Sequence, residues 1–159
     1  MSPTAHLTRS PIDAEALLGA VRRPANGAVL LFLGVVREVN DGRGVTGIEY
    51  SAYEAMAASE LTAIAEEASA RFGPAEVVIV HRLGELALEE ASVGIAVAHP
   101  HRAEAYGASR WIIEALKSRV PIWKREHYVD GTREWVDPTT SASTDGARYP
   151  DVGQPRATP

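Results

Sequence analysis

Apolar residues recur along the chain at helical spacing in three segments. The periodicity predicts amphipathic helices over 12–21, 54–72 and 101–119. Gly73-Pro74 stops the second helix and Pro121 stops the third. Each helix therefore has one apolar face, which we expect to pack on a sheet.

Strand patterns fill the segments between these helices. The run Ala28–Val36 is continuously apolar, which predicts a strand covered on both faces. After the turn signal VNDGRG, apolar and polar residues alternate over Val45–Tyr53, so we expect the two segments to form a long hairpin. Four more strands are predicted, the last two joined by a hairpin turn at Asp130-Gly131: 76–81, 92–98, 122–129 and 132–136.

From the first strand onward the order of elements is β-β-α-β-β-α-β-β, which predicts an α+β fold with a mainly antiparallel sheet and packed helices. No glycine-rich phosphate loop follows a strand, so the usual nucleotide-binding folds lack their motif. We expect a single domain over 1–136. The segment 137–159 is rich in Pro, Gly, Ser and Thr, and we expect it to be a flexible C-terminal tail.

Composition narrows the classes of function. The formal net charge of −5 argues against a broad surface that binds nucleic acid or an anionic membrane. There is no cysteine, which excludes disulfides, thiolate metal sites and cysteine nucleophiles, so any sulfur chemistry needs sulfur from another molecule. The longest apolar run is too short to span a bilayer and the first twenty residues lack a signal-type pattern, which predicts the cytoplasm.

Lysine is rare in this chain. Sixteen basic residues include only two lysines, Lys117 and Lys124, and the rest are arginine. An ammonium group can act as a proton donor, acceptor or nucleophile, whereas a guanidinium stays charged. The two lysines are therefore candidates for catalysis, although a surface lysine is more often a solvated charge.

The surroundings of the two lysines allow both interpretations. Lys117 falls in the last turn of the predicted third helix, where the helix dipole favours any cation. Strand alternation places Lys124 and Glu126 on one face and Arg125 on the other. Lys124 and Glu126 thus either face a common pocket or form a surface pair of little consequence.

A second basic cluster lies where a strand meets the start of the third helix. His101 and Arg102 add donors to the free N–H groups of the first helical turn, which suggests an anion pocket. Arg37, just after the first long strand, is a separate candidate at the end of an element. Alternatively, one histidine caps the helix and Arg102 is solvated. The His99-Pro100-His101 spacing with no obvious carboxylate partner gives only a weak metal motif, and we predict no metal.

The two clusters are too far apart to share a ligand within one chain. Sixteen residues of helix separate His101 from Lys117, which is about 24 Å. Either the two clusters serve different sites, or His101 and Arg102 of a second copy complete the site that contains the lysines. We favour the second arrangement, which predicts a dimer.

Several of these segments resemble the large, catalytic subunit of molybdopterin synthase. The resemblance rests on HRLGEL at 81–86, on the His101-Arg102 step, on GVVR at 34–37 and above all on LKSRVPIWKRE at 116–126. It implies an α/β hammerhead-type fold, a homodimer, and a heterotetramer with two small ubiquitin-like subunits. It also implies transfer of sulfur from the thiocarboxylated C-terminus of that partner to cyclic pyranopterin monophosphate, which forms the dithiolene of molybdopterin without a resident cofactor.

The resemblance also implies roles for individual residues. Lys117 and Lys124 match the catalytic lysines, and the substrate-binding positions are matched by Val35, Val36, Arg37, His101, Arg102, Arg125 and Glu126. The chain departs from some relatives at His99-Pro100 and in its C-terminal tail. The alternative function is a non-catalytic module that binds an anion and senses a phosphorylated metabolite.

Overall fold

The computed structural model describes residues 3–136. Three helices are present in this part of the chain: α1 (Ala14–Val21), α2 (Glu54–Arg71) and α3 (Arg102–Arg119). The strands are β1 (Thr4–Thr8), β2 (Ala28–Val35), β3 (Val39–Asn40), β4 (Arg43–Ala52), β5 (Glu76–Arg82), β6 (Gly84–Ala87), β7 (Ala91–His99), β8 (Ile122–Tyr128) and β9 (Arg133–Val136). The tail predicted over 137–159 lies outside the described residues.

The first sheet has the strand order β1-β5-β7-β2 and carries helices on both faces. Its β1–β5 pair is parallel, and the other two pairs are antiparallel. Alternate residues of β5 and β7 pack on opposite sides: Ile79 and Ile95 belong to the core under α2 and α3, whereas Val80 and Ala96 pack with Leu17 of α1. This two-sided cover explains why both strands are apolar at nearly every position.

The second sheet has the order β3-β4-β8-β9. β3 pairs with the first two residues of β4, and β6 pairs with residues 47–50 of the same strand. All of its pairs are antiparallel. Its inner face contributes a smaller core that contains Val36, Val45, Ile48, Leu86 and Tyr128. The inner face of β8 therefore lies against this core, whereas its outer face does not.

The predicted hairpin between Ala28–Val36 and Val45–Tyr53 is wrong. β2 pairs with β7, and β4 pairs with β3, β6 and β8. The turn signal instead forms the short β3–β4 hairpin, in which Asp41 and Gly42 adopt positive φ values of 49° and 76°. Local turn chemistry was read correctly, but the long strand before it belongs to another sheet.

The expectation that the first long strand is covered on both faces is also wrong. β2 lies at the end of its sheet, and Phe32, Leu33 and Val35 are 36%, 36% and 50% exposed. These residues are apolar because they line the wall of a cavity, which an apolar run alone does not distinguish from a buried strand.

The other predicted elements are confirmed within one to two residues at most ends. The helical stripes are correct, since Leu61, Ile64, Ala108 and Ile112 are all buried. The β8–β9 hairpin forms at the predicted turn, where Gly131 has a φ of +88°. Three short strands, β1, β3 and β6, were not predicted. The α+β class with a mainly antiparallel arrangement is confirmed.

Among residues 3–136, none of the three helices combines the length and the hydrophobicity that a bilayer crossing requires.

Candidate functional site

A cavity of about 400 Å³ opens where the end of β2, the C-terminal end of α3 and the inner face of the second sheet meet. Apolar residues of both sheets and of α3 form much of its wall. Its polar lining includes three cations and two carboxylates: Arg37, Lys117, Lys124, Asp41 and Glu126. A pocket of this kind can hold a polar ligand of moderate size with an anionic group.

The two lysines of the chain line this same cavity. Lys117 lies in the last turn of α3, where the buried Leu116 anchors the helix in the main core. Lys124 lies on the inner face of β8, and its side chain is 17% exposed. The sequence therefore placed both residues correctly on their elements, and the fold brings those elements together.

Glu126 is the buried centre of a polar network beside Lys124. The residue is 1% exposed, and its Oε1 lies 3.3 Å from Lys124 Nζ. Asn40 Nδ2 donates to the same oxygen at 2.5 Å, and the Tyr128 hydroxyl donates to Oε2 at 2.9 Å. A buried carboxyl group is stable only when its oxygens accept such bonds, so these contacts compensate for the burial of Glu126.

Tyr128 stays protonated in this network. Burial raises the pKa of Tyr128 to about 12, and both the hydrogen bond to Glu126 and the negative charge of that carboxylate act in the same direction. The phenol is therefore a constant donor to Glu126 at neutral pH.

The outer face of β8 carries a different ion pair. Arg125 Nη2 bonds to Glu49 on β4, and its guanidinium lies 5.2 Å from the centre of the Trp135 ring. The predicted alternation is confirmed, since Lys124 and Glu126 line the cavity and Arg125 does not.

The end of β2 and the segment after it contain three of the sequence-predicted residues, of which two line the cavity. Val35 and Arg37 line the cavity, whereas Val36 is buried in the small core of the second sheet. Arg37 Nη2 donates to Asn40 Oδ1 at 3.5 Å. Gly34 lets β2 approach β7 closely, because a Cβ at this position would lie 2.7 Å from Val93 Cγ1.

His101 and Arg102 lie at the opposite end of α3 from Lys117. His101 is the N-cap residue, and its backbone N–H donates to His99 Nδ1 at 3.0 Å. Both His101 and Arg102 are exposed, and neither lines the cavity of its own chain. The separation expected from the length of the helix is confirmed within one chain.

His81 lines the cavity, but sequence analysis did not select it as a site residue. It is 4% exposed, and burial lowers its pKa to about 4, with the charge of Lys117 acting in the same direction. The imidazole is therefore neutral at physiological pH. A histidine inside an otherwise apolar strand was the available signal for this position.

Tyr50 is a second cavity residue that the sequence analysis missed. Its ring packs edge-on against His81, with the ring centres 5.2 Å apart. Burial raises the pKa of the Tyr50 phenol, and the charge of Glu126 adds to this effect, while a hydrogen bond with Ser92 opposes it. Two neutral polar rings thus lie in the wall near the lysines.

A histidine-carboxylate cluster lies elsewhere, on the second sheet. Glu49, Glu85 and His127 place ligand atoms within 4.8 Å of one another, but none of the three lines the cavity. Glu49 is already paired with Arg125.

Comparison with known proteins identifies the family. Residues 7–119 match the model for the MoaE protein family. The chain belongs to the MoaE family. Its resemblance to the large subunit of molybdopterin synthase, stated from the sequence, is therefore confirmed.

Two named relatives carry the same description. The molybdopterin synthase catalytic subunit of Emericella nidulans is 43% identical over 129 residues, which are 81% of this chain and 66% of that relative. The one from Halalkalibacterium halodurans is 42% identical over 130 residues, which are 82% of this chain and 83% of the relative. The chain thus spans just under two thirds of the fungal relative and most of the bacterial one.

The fold agrees with solved MoaE-family structures. The crystal structure of molybdopterin synthase from Staphylococcus aureus has a TM-score of 0.78 and 37% identity, and the match covers 82% of this chain and 95% of that one. The predicted family and fold class are confirmed together, and the family's enzyme class is that of a sulfurtransferase in molybdenum cofactor biosynthesis.

Proposed function

We propose that the cavity described above is where this chain transfers sulfur to cyclic pyranopterin monophosphate, producing the dithiolene of molybdopterin. The observation that carries the proposal is that both lysines, the rarest cations of the chain, line one cavity together with Arg37. The cavity offers cations for an anionic substrate and ammonium groups for proton transfer.

A small ubiquitin-like subunit with a C-terminal thiocarboxylate is the proposed sulfur donor. The chain has no cysteine, so it cannot supply the sulfur itself. The cavity of about 400 Å³ is the proposed place where this C-terminus meets the substrate. The proposed assembly is a heterotetramer, with one small subunit for each copy of this chain.

Lys117 and Lys124 are the proposed catalytic residues. The thiocarboxylate sulfur forms a bond to a carbon of the substrate side chain while a C–O bond at that carbon breaks, and the departing oxygen takes a proton from an ammonium group. Water then hydrolyses the resulting thioester by breaking the bond between this sulfur and the acyl carbon, which leaves a carboxylate on the partner and the sulfur on the substrate. Negative charge develops on the acyl oxygen during that cleavage. An ammonium group beside it stabilises the charge and can deliver a proton to the leaving sulfur.

The proposed substrate-binding residues hold the phosphate and the pterin. Arg37 is in position at the cavity mouth to make charge-assisted hydrogen bonds. His101 and Arg102 would reach this site from a second copy of the chain, because within one copy they are about 24 Å of helix away from Lys117. The working unit in this proposal is therefore a homodimer.

The other residues matched by the resemblance keep supporting roles. Val35 and Glu126 line the cavity, so direct contact with the substrate is the proposed role of both. Val36 and Arg125 lie behind this lining, and their proposed contribution is to hold β2 and β8 in place.

Reconstitution tests the proposed function. The purified chain is mixed with a thiocarboxylated small subunit and cyclic pyranopterin monophosphate, and formation of the dithiolene is measured. We expect product with the thiocarboxylated partner and none with the same partner ending in an ordinary carboxylate. Binding of the precursor with no product under either condition would overturn the proposal in favour of an anion-binding module.

The cytoplasm is the proposed location, because a thiocarboxylate is best preserved in a reducing compartment. A single domain over 1–136 with a flexible tail over 137–159 also stays a proposal. Fractionation of cells that express the tagged chain tests the first point, and limited proteolysis tests the second.

A further inference from the structure

Asn40 lies between two parts of the site that have different proposed tasks. Its Oδ1 accepts from Arg37 Nη2 at 3.5 Å, and its Nδ2 donates to Glu126 Oε1 at 2.5 Å. Glu126 Oε1 in turn pairs with Lys124 Nζ at 3.3 Å. One amide thus links the cation at the cavity mouth to the carboxylate that holds a lysine inside it.

The orientation of this amide is fixed by its neighbours. A guanidinium has only donors and a carboxylate has only acceptors, so the Asn40 oxygen must face Arg37 and its NH₂ group must face Glu126. An aspartate at this position would keep the acceptor for Arg37 but would lose the donor and place a second negative charge beside Glu126. The two halves of the link can therefore be separated by one conservative substitution.

The Lys124 side of the link is well defined. Glu126 is 1% exposed, and its two oxygens accept from Asn40 and from Tyr128. Hydrogen bonds to a charged group are shorter and stronger than neutral ones, and they are stronger still away from water. Glu126 is therefore fixed by two donors from different strands, and Lys124 is positioned against it.

We infer that Asn40 is a positioning residue that holds Lys124 through Glu126 while its carbonyl oxygen orients Arg37. The amide thereby fixes the cation proposed to anchor the substrate and the lysine proposed to transfer a proton relative to each other. The inference rests on the proposed function of the cavity. It assigns no contact between Asn40 and substrate. Tyr128 supports the Glu126 end of the link but has no bond to Arg37.

Steady-state kinetics separate the two halves of the link. If a hydrogen bond to a charged group is lost in the transition state, kcat falls by about ten- to one-hundredfold. We expect Asn40→Asp to lower kcat by this range with little change in KM for the precursor. Asn40→Ala should lower kcat and also raise KM, because Arg37 loses its acceptor. Tyr128→Phe should lower kcat alone and by less.

A second measurement observes Lys124 directly. Because the chain has two lysines, protein labelled with ¹³C at the lysine ε-carbon gives two side-chain NMR signals, which Lys117→Arg and Lys124→Arg assign. In Asn40→Asp and Asn40→Ala we expect the Lys124 signal to move toward the position of free lysine and to sharpen. The Lys117 signal should stay in place, which a general loss of structure would not permit.

Asn26→Asp is the matched control, since Asn26 lies in the loop before β2 and outside the cavity lining. It introduces the same charge and should change neither kcat nor the lysine signals. An unchanged Lys124 signal or an unchanged kcat in Asn40→Asp would overturn the inference. If the native chain forms no dithiolene but its Lys124 signal still depends on Asn40, the proposed function fails and the positioning contact stands.

Discussion

The two faces of β8 carry ion pairs of the same formal charge in different surroundings. On the inner face Lys124 pairs with Glu126, and their side chains are 17% and 2% exposed. On the outer face Arg125 pairs with Glu49, and their side chains are 30% and 25% exposed. Adjacent residues of one strand thus hold one pair inside a cavity wall and one pair near water.

The proposed role of the lysines accounts for the choice of cation on each face. A planar guanidinium suits a pair that joins two strands, because it makes directed hydrogen bonds and stacks on an aromatic ring such as Trp135. An ammonium is compact and can change its protonation state, which suits a group that works on a substrate. The chain uses arginine nearly everywhere and lysine at two positions that both line the cavity.

The largest effect is expected from substitutions of Lys117, which lines the cavity. We expect Lys117→Ala to lower sulfur transfer by about a thousandfold, since it removes both charge stabilisation and a proton donor. Lys117→Arg restores the charge but should recover little activity. Single-turnover formation of the dithiolene measures both, and size-exclusion chromatography checks that the oligomeric state is unchanged. Full activity of Lys117→Arg would contradict a special role for the ammonium.

The buried histidine of the cavity wall should make stability depend on pH. The pKa of His81 is lowered by burial from 6.5 to about 4, so between these values the unfolded chain binds more protons than the folded one. The free energy of unfolding contributed by this group is fully present above about pH 6.5. It is lost as the pH falls toward 4, by up to about 1.4 kcal/mol per pH unit.

Urea unfolding at a series of pH values measures this effect. In His81→Gln the slope between pH 4 and 6.5 should be smaller than in the native chain, because the titrating group is gone. The exposed His6 on β1 provides the control, and His6→Gln should leave the slope as it is. Equal slopes in all three proteins would show that His81 is accessible to protons in the folded state.

The two glutamates that pair across β8 provide a direct comparison of the faces. Glu126→Gln should lower the free energy of unfolding by about 2–3 kcal/mol, because a buried cation and two buried donors lose their charged acceptor. Glu49→Gln should cost less than about 1 kcal/mol, since its pair is partly solvated. Chemical denaturation of both variants checks the order, and an equal cost would mean that the two faces are electrostatically alike.

The smallest expected effect comes from changing the cation type inside the cavity. Lys124→Arg keeps the pair with Glu126 but should lower sulfur transfer about tenfold, because the larger guanidinium cannot give up its proton. The reverse change at an exposed helical pair, Arg110→Lys, should leave the rate within about twofold, as expected for a surface ion pair. Equal rates for the two variants would remove the argument from lysine chemistry.

Much of the fold could be predicted from local pattern. The stripes of α2 and α3 and the hairpin at Asp130-Gly131 depend on neighbouring residues, and they were predicted correctly. The pairing of β2 with β7 depends on residues about sixty positions apart, and local pattern suggested a hairpin instead. β1 was missed because TAHLT has little hydrophobic pattern of its own and gains its order by pairing with β5.

The candidate site shows the same division. Lys117 and Lys124 could be selected from their rarity, and their elements could be predicted, but the shared cavity depends on how β8 packs against α3. Asn40 was read as part of a turn signal. Its partner Glu126 is 86 positions away along the chain, and no local pattern indicates such a contact.

The cavity is assembled from residues that span much of the chain, from Phe32 on β2 to Glu126 on β8. During synthesis on the ribosome, Lys124 and Glu126 emerge after nearly every other wall residue, and they reach their places when β8 adds to β4. A nascent chain that already has α2, α3 and the first sheet therefore still has no enclosed pocket. The pocket should therefore close late in the folding of each chain, only once β8 has paired with β4.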